Sequence, residues 1–160
     1  MYLKILLVFS LMFSVSYAEN VHKNNEYSIK ILESEKSNVH SQSLMMYLPP
    51  SDGFSPNVNI QKQFYEGTLQ EYSVLSIKQF KQMRFELINS KVTDKFLTFE
   101  YKGSIQGRNL YWYAKVYKKD DIVYLVTATC TVKQKGKVIE HLKECVNSFN
   151  LNKKVGLKNK

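Results

Sequence analysis

The sequence predicts an α+β domain, a central, mostly antiparallel sheet of about six or seven strands flanked by helices. Three observations predict it. Residues 108–118 and 121–132 are two long strand-like runs joined by a turn too short for anything but an antiparallel pair. Residues 137–149 then carry Val138, Leu142, Cys145 and Phe149 at spacings of four, three and four, the stripe of a helix folding back on that pair. Thr68-Leu69-Gln70-Glu71 is a capping box, which opens another helix amid the strand patterns upstream.

Taken in order, residues 19–25 are polar and read as a frayed start, and residues 27–32 alternate as a first strand. A polar connection, 33–42, leads to a strand at 43–48, halted by Pro49-Pro50 because proline has no amide to give to a ladder. Residues 51–56 are turn chemistry around Asp52-Gly53. Along 57–64, Val58, Ile60 and Phe64 face one way, interrupted by Lys62, and Asn57, Asn59, Gln61 and Gln63 face the other. This amide row reads as a solvated face, with a ligand-binding row as the sharper alternative. The helix over 68–83 aims Leu69, Tyr72, Leu75, Phe80 and Met83 at the sheet.

Strands follow at 85–91 and 95–102, and residues 103–107 read as a five-residue hairpin loop with a glycine at each end. The strand after it sets Leu110, Trp112, Ala114 and Val116 against Tyr111, Tyr113, Lys115 and Tyr117. Residues 122–132 are apolar or small on both faces, the pattern of a strand covered on both sides, which belongs near the middle of the sheet. Residues 150–160 hold lysines and no acid and read as a loose basic tail.

Residues 1–18 stand outside this domain. A short basic start with Lys4, an apolar run at 5–15 and small residues at Ser16 and Ala18 predict a signal peptide cleaved between Ala18 and Glu19. The apolar run is short for a membrane span of about 20 residues. With no cysteine near Ala18, no lipid anchor is expected, and the mature chain is expected in the periplasm or outside the cell.

The formal charge is +9, which favours acidic partners and allows weak contact with an anionic membrane surface. Nucleic acid is not expected. Of 23 basic residues only Arg84 and Arg108 are arginine, the side chain that grips phosphate and guanine bidentately.

Two cysteines in an exported chain predict a disulfide between Cys130 and Cys145. With the helix running back along its strand, both lie roughly 7–12 Å from the connecting turn. Two buried thiols are the alternative. His141 stands one helical turn before Cys145, so a metal site or a thiol–imidazole pair is conceivable, but no further ligand or orienting group is evident. Gly103-Ser104-Ile105-Gln106-Gly107 lacks the spacing of a nucleophile elbow, and zincin, phosphate-loop and calcium-loop motifs are absent. No cofactor is expected. The row Tyr111, Tyr113, Lys115 and Tyr117 is the candidate partner surface, unless a helix covers that face.

Gly53-Phe54-Ser55-Pro56-Asn57-Val58-Asn59-Ile60, Leu69-Gln70-Glu71-Tyr72, Tyr124-Leu125-Val126-Thr127-Ala128-Thr129 and Ser148-Phe149 resemble the PsbP-like superfamily, closest to bacterial DcrB-type envelope proteins. The resemblance spans residues 43–149, between an N-terminal segment at 19–42 and the tail at 150–160. It implies an antiparallel sheet flanked by helices, and a scaffold used mainly for binding proteins: photosystem accessory subunits, a binder of the Ran GTPase and envelope proteins. It carries no shared catalytic motif. The expected function is therefore an exported, non-enzymatic accessory protein that binds another protein or an envelope component. A small thiol- or metal-dependent hydrolase built on Cys145 and His141, or a secreted factor acting on a host, are the alternatives.

Overall fold

The computed structural model describes residues 21–32, 38–40 and 43–152. The expected signal peptide, its cleavage site at Ala18 and Glu19, and the last eight residues of the expected tail lie outside them. In chain order the elements are β1 (Val21–Lys23), β2 (Tyr27–Lys30), β3 (Asn38–His40), β4 (Ser43–Tyr47), β5 (Asn57–Phe64), α1 (Leu69–Gln82), β6 (Glu86–Val92), β7 (Leu97–Ile105), β8 (Arg108–Lys119), β9 (Ile122–Thr131), α2 (Lys135–Asn147) and β10 (Asn150–Leu151).

The main sheet has seven strands in the order β3-β4-β5-β9-β8-β7-β6, and every pairing in it is antiparallel. Its middle strand is β9, as the two-sided apolar pattern of residues 122–132 requires. Alternation along β9 and its neighbours builds a core on each face. On one face Val58, Ile60, Tyr111, Tyr124, Val126, Ala128 and Cys130 pack beneath Ile139, Leu142, Cys145 and Val146 of α2. On the other, Leu97, Phe99, Ala114, Val116 and Val123 meet Tyr72, Ile77 and Phe80 of α1. The fold is α+β with helices on both sides of the sheet.

A second sheet, β1-β2-β10, was not legible in the sequence. Its outer strands are three and two residues long, too short to show a period, so they read as a frayed start and a loose tail. Leu151 pairs with Tyr27 and Asn150 with Ser28, which ties the end of the helix α2 segment to the start of the domain. Tyr27 and Ile29 point from β2 into the core beneath α2. The Lys30 amide donates to Ser148 Oγ at 2.8 Å, closing the seam between β2 and the end of α2.

Three other expectations shift. The hairpin between β7 and β8 turns on Gln106 and Gly107 alone, both at positive φ (50° and 77°), and residues 103–105 stay in the strand. Two consecutive left-handed residues form the tight turn that matches strand twist. Gly103 serves a different need: a Cβ there would lie 2.2 Å from Phe85 Cδ1, and the Phe85 ring is stacked on Trp112 at 5.0 Å. Helix α1 keeps its capping box, with Glu71 N donating to Thr68 Oγ1 and Thr68 N to Glu71 Oε2. Its inward face is rotated, however: Ser73 and Ser76 are buried, and Leu75 and Met83 are exposed. Small side chains let the helix approach the sheet closely, and the Ser76 hydroxyl bonds the Tyr72 carbonyl at 2.8 Å. Finally, α2 starts at Lys135, two residues earlier than its apolar stripe suggests, because Gln134 anchors it. The Gln134 side chain accepts from Thr131 N and donates to Ser51 O and Phe54 O.

Candidate functional site

The central strands decide where chemistry-bearing side chains emerge. Alternation on β8 sends Trp112, Ala114 and Val116 toward α1, and Tyr111, Tyr113, Lys115 and Tyr117 toward the side that α2 occupies. The register with β9 sets Tyr111 opposite Cys130, Tyr113 opposite Ala128, Lys115 opposite Val126 and Tyr117 opposite Tyr124. All four therefore share one face. Helix α2 covers one end of this row fully and leaves the other half open.

Tyr111 is buried. Its hydroxyl donates to Glu100 Oε2 at 2.8 Å, and the Lys135 ammonium lies 4.1 Å from its ring centroid. Glu100 also receives the Lys143 ammonium at 2.8 Å. Partial burial opposes ionisation of Glu100, but the hydrogen bonds from Lys143 and Tyr111 outweigh it and hold the carboxyl below its ordinary value. Burial pushes the Tyr111 phenol up, and the hydrogen bond to Glu100 adds to it.

Tyr113, Lys115 and Tyr117 are half-buried and form the open part of the row. Asn147, exposed on the last turn of α2, accepts from Tyr113 Oη at 3.0 Å and from Lys115 Nζ at 3.2 Å. Lys115 Nζ also lies 4.1 Å from the Phe96 ring centroid and 5.5 Å from that of Tyr117. Burial lowers the Lys115 pKa. Tyr117 packs on Phe149 at 4.9 Å between ring centroids, so its ring is braced from below. The result is a seam of Phe96, Tyr113, Lys115, Tyr117 and Asn147: apolar ring surface, one held cation and amide and phenol groups. The chemistry on offer there is ring contact and hydrogen bonding. Phe96 and Asn147 lie in a turn and on a polar helix face, and no sequence pattern marked either of them.

The sulfurs do not form a site. Cys130 and Cys145 are free, buried thiols, where the sequence predicts a disulfide. The early start of α2 supplies the reason: Cys145 lies ten residues into the helix, about 15 Å along it, whereas Cys130 is one residue, about 3 Å, from the end of β9. Disulfides need Cα atoms within about 7 Å. Cys145 Sγ instead donates to the Lys30 carbonyl at 3.1 Å. Burial pushes the Cys145 thiol up to about 12 and the Cys130 thiol up to about 11, the opposite of the lowered value an activated nucleophile shows. His141 is exposed on α2 while Cys145 faces the core, so the two are not brought together. Among the described residues no group of three or more His, Cys, Asp or Glu side chains is placed to hold a metal ion.

The amide row of β5 lies on the α1 side of the sheet, and α1 reaches it at Gln63. Gln63 is held by the Tyr72 hydroxyl at 2.7 Å, and Asn57 bonds the Ser55 carbonyl at 3.1 Å. Asn59 Oδ1 is buried and accepts no hydrogen bond. No helix among the described residues is long and apolar enough to cross a membrane.

No protein-family model and no characterised protein sequence matches the chain. Solved structures do match its fold. A putative regulator of unknown function from Pseudomonas aeruginosa, PA94, superposes with a TM-score of 0.59 at 15% identity, over 78% of this chain and 90% of that one. Cyanobacterial PsbP (CyanoP) from Synechocystis sp. PCC 6803 gives 0.55 at 13% identity, over 87% of this chain and 96% of that one. LpqN of Mycobacterium tuberculosis, involved in cell envelope biogenesis, gives 0.56 at 8% identity, over 79% and 83%. The fold is PsbP-like.

Proposed function

We propose that the protein is an exported, non-enzymatic accessory protein of the cell envelope that binds another protein through the seam of Phe96, Tyr113, Lys115, Tyr117 and Asn147. The observation that carries this reading is the seam's construction. Its tyrosines are rigid, backed by α2 and Phe149, and present ring area at little entropic cost, the composition of a protein contact. The fold supports it: LpqN, which shares the fold, is involved in cell envelope biogenesis. Export rests on the leader pattern in residues 1–18. The buried, hydrogen-bonded Cys145 does not favour the thiol hydrolase reading.

Quantitative capture from envelope extracts tests the proposal. The wild-type chain is expected to retain a defined partner, and Lys115→Glu combined with Tyr117→Ala to lose at least tenfold of it while circular dichroism is unchanged. Equal recovery by both proteins, or turnover of a substrate that survives the double substitution, overturns it.

A further inference from the structure

One end of the main sheet gathers features that the seam does not use. There α1 ends, the β7–β8 hairpin turns, β9 ends and α2 begins. Both arginines of the chain, Arg84 and Arg108, stand at this end, with Lys102, Lys133, Lys135 and Lys137. The acids near them are Glu86, paired with Lys102 at 3.0 Å, Asp52, Glu100, which lies close enough to Lys135 to feel its charge but is already paired with Lys143, and Glu140 further along α2. The first turn of α2 holds no acid.

Three apolar side chains project between these cations: Met83 is 55% exposed, Val132 44% and Ile105 39%. Arg84, Glu86, Lys102, Ser104, Asn109 and Val132 line a concavity of about 330 Å³, so these segments share one surface. Arg108 reaches over the Phe54 ring from the adjoining turn. Arg84 itself is at φ 58°, a left-handed position just past the end of α1 where glycine is favoured. Among the described residues its guanidinium has no hydrogen-bond or ion-pair partner.

We infer that this end of the sheet docks on an anionic phospholipid bilayer. The cations come from separate segments that the topology gathers at one end of the sheet, which suits a field of phosphates better than a single bound anion. Each lysine or arginine near such a surface strengthens binding by about fivefold at moderate salt. Isolated apolar tips among cations suit the headgroup boundary, which accepts single side chains without a matching pocket. An acidic protein would have to supply a separate cavity for each tip. The concavity of about 330 Å³ holds one carboxylate, Glu86, which Lys102 neutralises at 3.0 Å, so its remaining charge is the Arg84 guanidinium, and with Ser104 and Asn109 beside it this suits a lipid phosphate. This surface lies at the opposite end of β8 from Tyr117, so it leaves the seam free for a protein partner.

The test is co-sedimentation of the exported, processed chain with vesicles of phosphatidylcholine alone and of phosphatidylcholine with one third phosphatidylglycerol. Binding is expected to the anionic vesicles only, and to fall with salt. Arg84→Glu/Arg108→Glu/Lys133→Glu should lower it at least 100-fold. Lys78→Glu/Lys91→Glu/Lys95→Glu, with the same change in net charge elsewhere, should lower it less than tenfold. Arg84→Gly, which suits the backbone, and Met83→Ser/Ile105→Ser should each keep the thermal transition and weaken binding several-fold. Equal losses in the two triple variants overturn the assignment. So does equal binding to neutral vesicles, or capture by an acidic polypeptide with no binding to vesicles. A seam variant, Lys115→Glu/Tyr117→Ala, that still binds vesicles separates this surface from the protein contact.

Discussion

Cys145 shows how one side chain can look reactive in a sequence and be inert in a fold. Its thiol points at the Lys30 carbonyl from within the core, and Cys130 lies in the same apolar cluster beneath α2. Neutral sulfur is therefore the favoured form of both. Alkylation of the native protein at pH 8 should label neither thiol within the time that labels a model peptide, and alkylation after unfolding without reductant should label both. A denatured chain without free thiols would mean the bond forms after all. Glu100 behaves in the opposite sense. Its folded-state pKa is depressed, so its contribution to stability is present above pH 4.5 and disappears as pH falls through the lower folded value. Glu100→Gln should cost about 1 kcal/mol at pH 7, a discounted figure because solvent screens the Lys143 pair. The gap from wild type should narrow as pH falls below 4.5, as measured by urea unfolding at each pH; a gap that stays constant from pH 7 down to pH 2 would show that the ionised carboxylate is not what stabilises.

Gln134 matters at the scale of elements. It joins the end of β9, the start of α2 and the Ser51–Phe54 turn through one amide, and it is almost wholly buried. Gln134→Ala removes the acceptor of Thr131 N and one of the two donors to each of Ser51 O and Phe54 O, which keep each other's amides, and should cost about 1–3 kcal/mol. Urea unfolding that gives less than about 1 kcal/mol would show that the junction holds without it. Nothing in residues 132–136 announced this anchor, since a glutamine between lysines looks like any solvated turn. The same limit explains the other misses among elements. The capping box of α1 and the two-sided apolar run of β9 are local patterns, and they were legible. The strands β1, β3 and β10 are set by tertiary pairing with β2 and β4, and stretches of two or three residues carry no period. The inward face of α1 was misread because Ser73 and Ser76 are selected by close approach to the sheet, not by hydrophobicity.

At the scale of the molecule, the layered α+β architecture and its middle strand could be read from alternation, and the PsbP-like fold agrees with the resemblance seen in short motifs. The candidate site was legible only in part. Alternation placed Tyr111, Tyr113, Lys115 and Tyr117 on one face, but which of them stays open depends on where α2 ends. That end is fixed by Ser148, whose hydroxyl accepts from Lys30 N and donates to the Cys145 carbonyl, a contact across more than a hundred residues of chain. Tyr111 became core, and Phe96 and Asn147 completed the seam in its place. The account's central claim is that this seam is a protein contact. The measurement that tests it most directly is photo-crosslinking in intact cells from a photoreactive residue at position 147, with position 78 on the outer face of α1 as the control. A discrete adduct from position 147, absent from position 78 and lost when Lys115→Glu and Tyr117→Ala are added, is the predicted result. The same adducts from both positions, or adducts from position 147 that persist with the seam altered, would contradict it.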